Sequence, residues 1–492
     1  MKKAVVIGGG VGGLAAAIRL ARAGVGVQLL ERAPRVGGKL RELVVPGPEG
    51  ARAFDAGPSV LTLRWVFEEL LDGPLEAHLA LVPLDPLCRH FFADGSVLDL
   101  FGDEERSAAA IAAFAGPREA DGYRALRKKA RVIYDIVLEN FLLRAQPSLL
   151  GMLRPGVLRG MAQLDAGTSL WQKLSGYFSD PRLRQLFGRY ATYNGSDPFR
   201  APATLQVIVH VENALGVWAC PDGLYRLADA LVATARGLGV EIETDCGADR
   251  IVIEHDRVVG VEARGRLHRA DVVVANCDAA TLYEDLLPEQ FGGALGRRYD
   301  RAERSLSAYV LLAHLPTSRL PLVHHNVFFS RDYELEFDEL RKGHSPEDPT
   351  VYLCAQDRVS GTPTGASERC FLLSNSPPTS AGIDWESEGP RARRRILARL
   401  GRQGRPVTPL GERAVTPTQF GADFPGSRGA LYGLSSNSAF AAFRRPTNRV
   451  AGVYGLYAAS GSVHPGAGLP LVALSARIAV DAALDDLRVA RP

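Results

Sequence analysis

Residues Lys3–Glu31 read KAVVIGGGVGGLAAAIRLARAGVGVQLLE, and the order of residue types in this stretch decides the fold class. Ala4–Ile7 is apolar and β-branched, Leu14–Ala23 carries Ala and Leu at helical spacing, and Val25–Leu30 is apolar again. That order predicts strand, helix, strand, the opening of a βαβ unit. Between the first strand and the helix, Gly8, Gly10 and Gly13 stand in the spacing G-x-G-x-x-G. In this context each glycine has a physical task. Gly8 allows the tight turn, Gly10 lets the backbone approach a pyrophosphate, and Gly13 lets the helix pack closely on the strand. The N–H groups at the helix start then face the phosphates. Glu31 lies 18 residues after Gly13, at the end of the second strand. A carboxylate there accepts hydrogen bonds from ribose hydroxyls and repels the 2′-phosphate of NADP. The stretch predicts an α/β chain with a Rossmann-type dinucleotide domain.

Further α/β signals lie far downstream. Gly223–Leu238 has helical spacing, Val240–Thr244 and Arg250–His255 read as strands, Val258–Arg264 alternates as a hairpin partner, and Asp271–Ala275 is an apolar strand. Residues 106–200 are mostly helical in pattern, whereas Leu306–Ala313, Asn326–Ser330, Val351–Ala355 and Cys370–Ser374 read as strands separated by Pro, Gly and Asp. A glycine-rich block at 452–468 precedes the helical run Leu469–Leu487. The layout predicts a discontinuous nucleotide domain from residues 1–105, 216–280 and 445–492, with a helical region at 106–200 and a sheet-containing substrate domain at 201–215 and 281–444 inserted into it.

Composition narrows the function classes. With 492 residues, 46% hydrophobic and 23% charged, the chain is an ordinary globular sequence with room for two to four structural units. Its 58 basic and 55 acidic side chains nearly cancel to +3, and no run of like charge offers a nucleic-acid patch. Six cysteines show neither CxxC nor zinc spacing, so neither a metal site nor a disulfide framework is expected, and a reducing cytoplasm is the default compartment. The apolar run after Met1-Lys2-Lys3 stops at Gly8, too short for a secretion signal, and no stretch of about 18 apolar residues is present to span a bilayer.

Beyond Glu31, Ala33-Pro34-Arg35-Val36-Gly37-Gly38-Lys39 sets a glycine pair and a cation, and Asp55-Ala56-Gly57-Pro58-Ser59 adds another small-residue turn. With the glycine block at the C-terminus, this arrangement resembles the flavoprotein superfamily of amine oxidases, protoporphyrinogen oxidases, carotenoid desaturases and Rab GDP-dissociation inhibitors (GDI). The resemblance implies FAD as cofactor, an FAD domain of the amine oxidase/GDI type, and an inserted substrate domain of antiparallel sheet and helices. It places Gly38 and Lys39 beside the pyrophosphate, adds Gly57 and Pro58 to the cofactor contacts, and puts Gly461, Ser462 and Pro470 against the flavin. The run Gly461-Ser462-Val463-His464-Pro465-Gly466-Ala467-Gly468-Leu469-Pro470 looks like the closing signature of the phytoene desaturase family, departing from it at Ala459 and Ser460, where Gly is common. The middle block, Gly188–Tyr193, Pro198-Phe199, Ala201–Thr204, His210–Glu212 and Gly216–Trp218, is most similar to the 1-hydroxycarotenoid 3,4-desaturases.

That resemblance implies insertion of a C3,4 double bond into a 1-hydroxy or 1-methoxy acyclic carotenoid, with hydride transfer to flavin N5. Phytoene desaturation, carotenoid isomerisation and flavin-free prenyl binding of the GDI type are the rival readings. A flavin does the difficult chemistry, so no triad is required, and His464 is the titratable residue expected nearest to it. Glu212 and His210 are weaker candidates, read more simply as a satisfied core pair. A carotenoid lies in the bilayer. Phe141–Leu164, which mixes Phe141-Leu142-Leu143, Leu149-Leu150 and Met152-Leu153 with Arg144, Arg154 and Arg159, has the composition of an interfacial segment, or alternatively of internal helices lining the substrate domain. A peripheral position on the cytoplasmic membrane is therefore expected, with the electron acceptor, oxygen or a quinone, left open.

Overall fold

Two sheets face each other across one large cavity. The computed structural model describes residues 1–146, 163–317, 320–359, 361–402, 406–438 and 441–489.

The first sheet is parallel and has five strands, in the order Leu456–Ala458, Val272–Ala275, Lys3–Ile7, Gly26–Leu30, Glu241–Glu243. Val5 sits in register with Val273 on one side and Gln28 on the other. Central strands buried on both faces need near-continuous apolar runs, and Val272–Ala275 is buried at every position. One face is covered by the helices Val11–Arg22, Arg226–Gly237 and Leu469–Val489, the first packing on the other two. Ala15, Ala16 and Ala17 are wholly buried, and their small side chains permit that close packing. On the other face lies an antiparallel meander, Ala248–Glu254, Arg257–Ala263 and Arg266–Arg269, whose Ile251, Val258 and Val261 share a core with Val5 and Val273.

The second sheet has seven strands in the order Gly411–Val415, Ser307–Pro316, Ser367–Ser376, Val351–Ala355, His325–Phe328, Cys88–Phe91, Val97–Leu100. Its pairs are antiparallel except His325–Phe328 with Cys88–Phe91. The two-residue period of a strand divides Ser307–Pro316 between two cores. Tyr309, Leu311, Ala313 and Leu315 pack toward the helix Trp385–Gly401, while Ala308, Val310 and Leu312 face the opposite side. That opposite side is a cavity wall: Ala308, Val310, Phe371 and Leu373 line it.

Helices between the two sheets close the cavity. Pro117–Val137 begins with Pro at its first position after Gly116 and buries Ala120, Tyr123, Leu126, Ala130, Ile133 and Tyr134 along one stripe. It runs into a π-turn at Leu138–Leu142. Val207–Asn213 packs on it.

The expected division of the chain drew two seams that strand pairing and helix packing place elsewhere. Cys88–Leu100, expected with the nucleotide domain at 1–105, pairs into the second sheet through a parallel ladder to residues more than 230 positions away. Residues 201–215, expected with the sheet domain, instead form the short helices Ala203–Gln206 and Val207–Asn213, because their apolar side chains find the stripe on Pro117–Val137. Much of the expected interfacial segment, residues 147–162, lies outside the described residues. Among those described, no helix is long and apolar enough to cross a membrane.

Candidate active site: a dinucleotide cradle opening on an apolar cavity

The cavity has a volume of about 1340 Å³, above the roughly 300–1,000 Å³ of a pocket for one small ligand. It begins at the carboxyl ends of the parallel strands, where open α/β sheets bind nucleotides. Gly8, Gly10, Glu31, Gly37, Gly38 and Lys39 form that wall.

The glycine loop is held by backbone. Gly8 adopts φ +91° and its N–H donates to the Leu30 carbonyl at 2.8 Å. A Cβ on Gly13 would stand 1.9 Å from the Gly8 carbonyl oxygen, so the helix can approach the strand only if this position lacks a side chain. The helix Val11–Arg22 has neither a side-chain cap nor an acid in its first turn, which leaves its N-terminal N–H groups for an anion. Glu31 is buried; its carboxylate accepts from the Gly9 N–H at 2.6 Å and the Ala33 N–H at 2.8 Å. A carboxylate has about four lone-pair sites, so it can hold the loop and still accept from ribose hydroxyls. The second glycine pair leans on the first, with the Gly37 N–H donating to the Gly9 carbonyl at 2.8 Å.

Lys39 donates from Nζ to the Leu431 carbonyl at 2.7 Å, and burial lowers its pKa against the pull of Asp278. Asp278 is pushed the other way: burial raises its pKa, opposed by Lys39. Gly57 lies so close to Lys39 that a Cβ would meet the Lys39 carbonyl oxygen at 1.8 Å. Asp55, two residues earlier, accepts from the N–H groups of Leu224 at 2.7 Å and Tyr225 at 3.1 Å, tying this turn to the helix Arg226–Gly237. Together these features fit a dinucleotide such as FAD: a capless helix end for the pyrophosphate, an acceptor for the ribose, and a roomy continuation for a ring system.

The C-terminal glycine block forms the facing wall. Gly461, Ser462, Gly466 and Pro470 line the cavity where the helix Leu469–Val489 starts, again with no acid in the first turn. Ser462 is anchored, its Oγ accepting from the Ala279 N–H at 2.8 Å. Pro58 lines the same space.

His464 is wholly buried, and the cavity walls do not include it. Its Nε2 lies 3.0 Å from the Phe141 carbonyl and 2.9 Å from the Arg144 carbonyl, so this nitrogen carries the proton and donates. Burial lowers its pKa, which keeps the ring neutral. Any proton-accepting role would fall to Nδ1, which has no hydrogen-bond partner. The geometry gives the ring a bracing position between the Pro465 turn and the π-turn at Leu138–Leu142.

The pair expected at His210 and Glu212 does not form. His210 lies against the Tyr134 ring, centroids 4.9 Å apart, while Glu212 accepts from the hydroxyls of Tyr190, at 2.7 Å, and Tyr193. Residues two apart on a helix point to different faces. Sequence reasoning also passed over Asn276, whose Nδ2 donates to the Ala459 carbonyl beneath the glycine loop, and two buried arginines in the walls, Arg189 and Arg445. Asn276 follows directly on an apolar strand, a signal that was available; the arginines had none.

Away from the cradle the walls are mostly apolar, with Val137, Phe141, Leu205, Ile208 and Val211 from the helices meeting Val310 and Phe371 from the sheet. Such a space excludes water from a long apolar ligand that ends against the cofactor.

Residues 11–371 match the family of flavin containing amine oxidoreductases. The hydroxyneurosporene desaturase of Cereibacter sphaeroides is 42% identical over 99% of this chain and 98% of its own length, and that of Rubrivivax gelatinosus 40% identical over 97% and 92%. Among solved structures, an oxidoreductase from Methanosarcina mazei shares the fold with a TM-score of 0.67 at 18% identity, covering 97% of this chain and all of its own. A cradle suited to FAD, an apolar cavity continuous with it, and near-full-length similarity to these enzymes agree: the chain is an FAD-dependent oxidoreductase of the carotenoid desaturase family.

Proposed function

We propose that the protein introduces the C3,4 double bond into a 1-hydroxy or 1-methoxy acyclic carotenoid such as hydroxyneurosporene. The observation that carries this reading is the single cavity that joins the dinucleotide cradle to an apolar chamber, supported by the names of the relatives. Desaturation breaks C–H bonds on neighbouring carbons: one hydrogen leaves as hydride, the other as a proton, and the remaining electron pair becomes the new π bond. Held by the glycine loop and Glu31, FAD would supply the hydride acceptor at N5, with oxygen or a quinone as the candidate final acceptor. The chain's own contribution is to hold the polyene in a dry space in one orientation, a device that supplies much of a rate enhancement. Gly461, Ser462 and Pro470, with Gly57 and Pro58, would shape the flavin side of that space.

The membrane supplies the substrate in this reading. Leu142 and Leu164 both line the cavity, and the Arg- and Leu-rich composition of the sequence between them suits a lipid surface on the cytoplasmic side.

The test uses FAD-loaded protein and carotenoids in liposomes. Hydroxyneurosporene is expected to gain one conjugated double bond, seen as a red shift of its visible bands. Turnover of phytoene with none of hydroxyneurosporene would sink the proposal, and a protein that binds no FAD after reconstitution would sink every redox reading.

A further inference from the structure

Arg189 stands in the cavity wall, 6% exposed. Its Nη1 reaches the Tyr193 hydroxyl at 3.4 Å, and its guanidinium lies 5.1 and 5.2 Å from the ring centres of Tyr190 and Tyr193. Nε and Nη2 are buried and meet no acceptor, and among the described residues no carboxylate oxygen lies within 4.0 Å of the guanidinium. Beside it Glu212, 3% exposed, accepts from Tyr190 and Tyr193, which uses two of about four lone-pair sites. Burial raises the pKa of both phenols, with the Glu212 charge adding to the effect, so the hydroxyls keep their protons and donate. Asn194, in the same wall, has a buried side-chain oxygen with no donor. Unspent buried donors and acceptors are costly, and Arg189, Asn194 and Glu212 all belong to the cavity wall.

We propose that Arg189, Tyr193 and Glu212 form the site that recognises the oxygen on C1 of the substrate. The inference rests on the 1-oxygenated carotenoid reading above and gives it a structural cause. That oxygen is three bonds from C3 and four from C4, so whatever binds it must stand beside the reacting carbons and not at the far end of a long tunnel. Arg189 stands close enough to His325 for its charge to lower the pKa of that ring. Tyr193 and Glu212 line the cavity together with Tyr352, whose hydroxyl lies 2.8 Å from both His325 Nδ1 and Ser59 Oγ. Ser59 follows directly on Gly57-Pro58, the turn assigned to the flavin. The donors and acceptors also match the two end groups. A tertiary alcohol accepts from the Arg189 guanidinium and donates to Glu212. A methyl ether only accepts, and needs Arg189 alone. A hydrocarbon end leaves the guanidinium buried without a partner, which a site built for a hydroxyl rejects strongly.

The test compares kcat/KM of the FAD-loaded enzyme for a 1-hydroxy carotenoid, its 1-methoxy ether and the parent hydrocarbon. The wild type is expected to prefer the alcohol over the hydrocarbon by about 10²-fold or more. Arg189→Met should bring that ratio below about tenfold by losing both oxygenated substrates. Glu212→Gln should lower turnover of the alcohol relative to the ether, since only the alcohol donates. Binding to each variant, followed by quenching of protein fluorescence, should show the same order. Tyr193→Phe removes one hydroxyl and decides the matter where Arg189→Met does not fold: it should reduce the alcohol preference by roughly tenfold. Wild-type preference in FAD-loaded Arg189→Met or Tyr193→Phe overturns the inference. A wild type that desaturates no 1-oxygenated carotenoid overturns the functional reading instead, so the two failures are distinct.

Discussion

At the dinucleotide end the cavity wall is mainly backbone, set by two short glycine runs within the first 40 residues and by one carboxylate; at the substrate end it is side chains, carried by helices and strands hundreds of residues apart. The first kind of wall would set the place of a phosphate and a ribose through a local stretch of backbone. The second kind depends on how two sheets and a helical layer meet. The two ends should therefore fail in different ways.

The largest effect is expected at the backbone end. In Gly13→Val the new Cβ would lie 1.9 Å from the Gly8 carbonyl oxygen, and relief requires the helix Val11–Arg22 to move off the strand it packs on. Overpacking of this kind costs about 3 kcal/mol or more. The variant should be purified without FAD and unfold at markedly lower urea, both read in one titration by visible absorbance and far-UV circular dichroism. A variant with normal FAD content would show that the loop tolerates displacement and would remove the distinction between the two ends.

This difference also explains what could be read in the sequence. Gly8, Gly10, Gly13 and Glu31 could be read together because motif and structure are both local there. Even so, the helix starts at Val11 and not near Leu14, since Gly12 and Gly13 lie inside its first turn. Cys88–Leu100 gives no local sign of its allegiance, because its partner strand is His325–Phe328. The same holds for Arg189. A lone arginine in the run Gly188–Tyr193 looks like a surface charge until the fold brings Glu212 and the second sheet around it.

A change of pH should separate the ends next. Burial lowers the pKa of His90 and His325 well below the ordinary value, lowers His324 to about 4, and lowers His464. Arg189 adds to the effect on His90 and His325. His90, His324 and His325 pack on the substrate side, and His464 where the two ends meet. Each is neutral in the fold and titrates near 6.5 when unfolded, so below pH 6.5 the unfolded chain binds protons that the native one does not, and stability falls as pH drops. His324 alone accounts for roughly 3 kcal/mol at the acid limit. At the cradle, burial raises the pKa of Asp55 and Asp278. The sign is opposite: protonation on acidification favours the fold there. Glu336, raised by burial on the substrate side, offsets part of the histidine effect. Hydrogen exchange at pH 5 should then show His325–Phe328 and Val351–Ala355 losing protection before Lys3–Ile7 and Gly26–Leu30. Simultaneous loss would mean that the two sheets unfold as one unit.

A smaller effect is expected for Glu31→Gln. The amide keeps an acceptor for one of the two N–H groups at Gly9 and Ala33 but loses the charge that strengthens both bonds and any bond to a ribose hydroxyl. FAD should bind about tenfold more weakly, measured by flavin fluorescence on dilution. Glu31→Arg, which also adds repulsion toward the loop N–H groups, should weaken it further. Unchanged affinity in both variants would detach Glu31 from the cofactor and leave it only as a loop brace.

The smallest effect is expected at His464, where the two ends touch. Its Nε2 proton is shared between the carbonyls of Phe141 and Arg144, and its ring meets Phe141 edge-on with centroids 4.5 Å apart. A glutamine amide can donate to the same carbonyls, so His464→Gln should keep kcat within about threefold and lose roughly 1 kcal/mol of stability through the missing ring contact. If Nδ1 instead takes the substrate proton, the same substitution removes a general base, which costs about 10²–10⁴-fold in kcat and abolishes the acidic limb of the pH–rate profile. The pH profile therefore distinguishes the roles even where the change in rate is ambiguous: a limb that persists in His464→Gln assigns the proton to a group on the cavity wall, and the ring to holding the π-turn against the C-terminal glycine block.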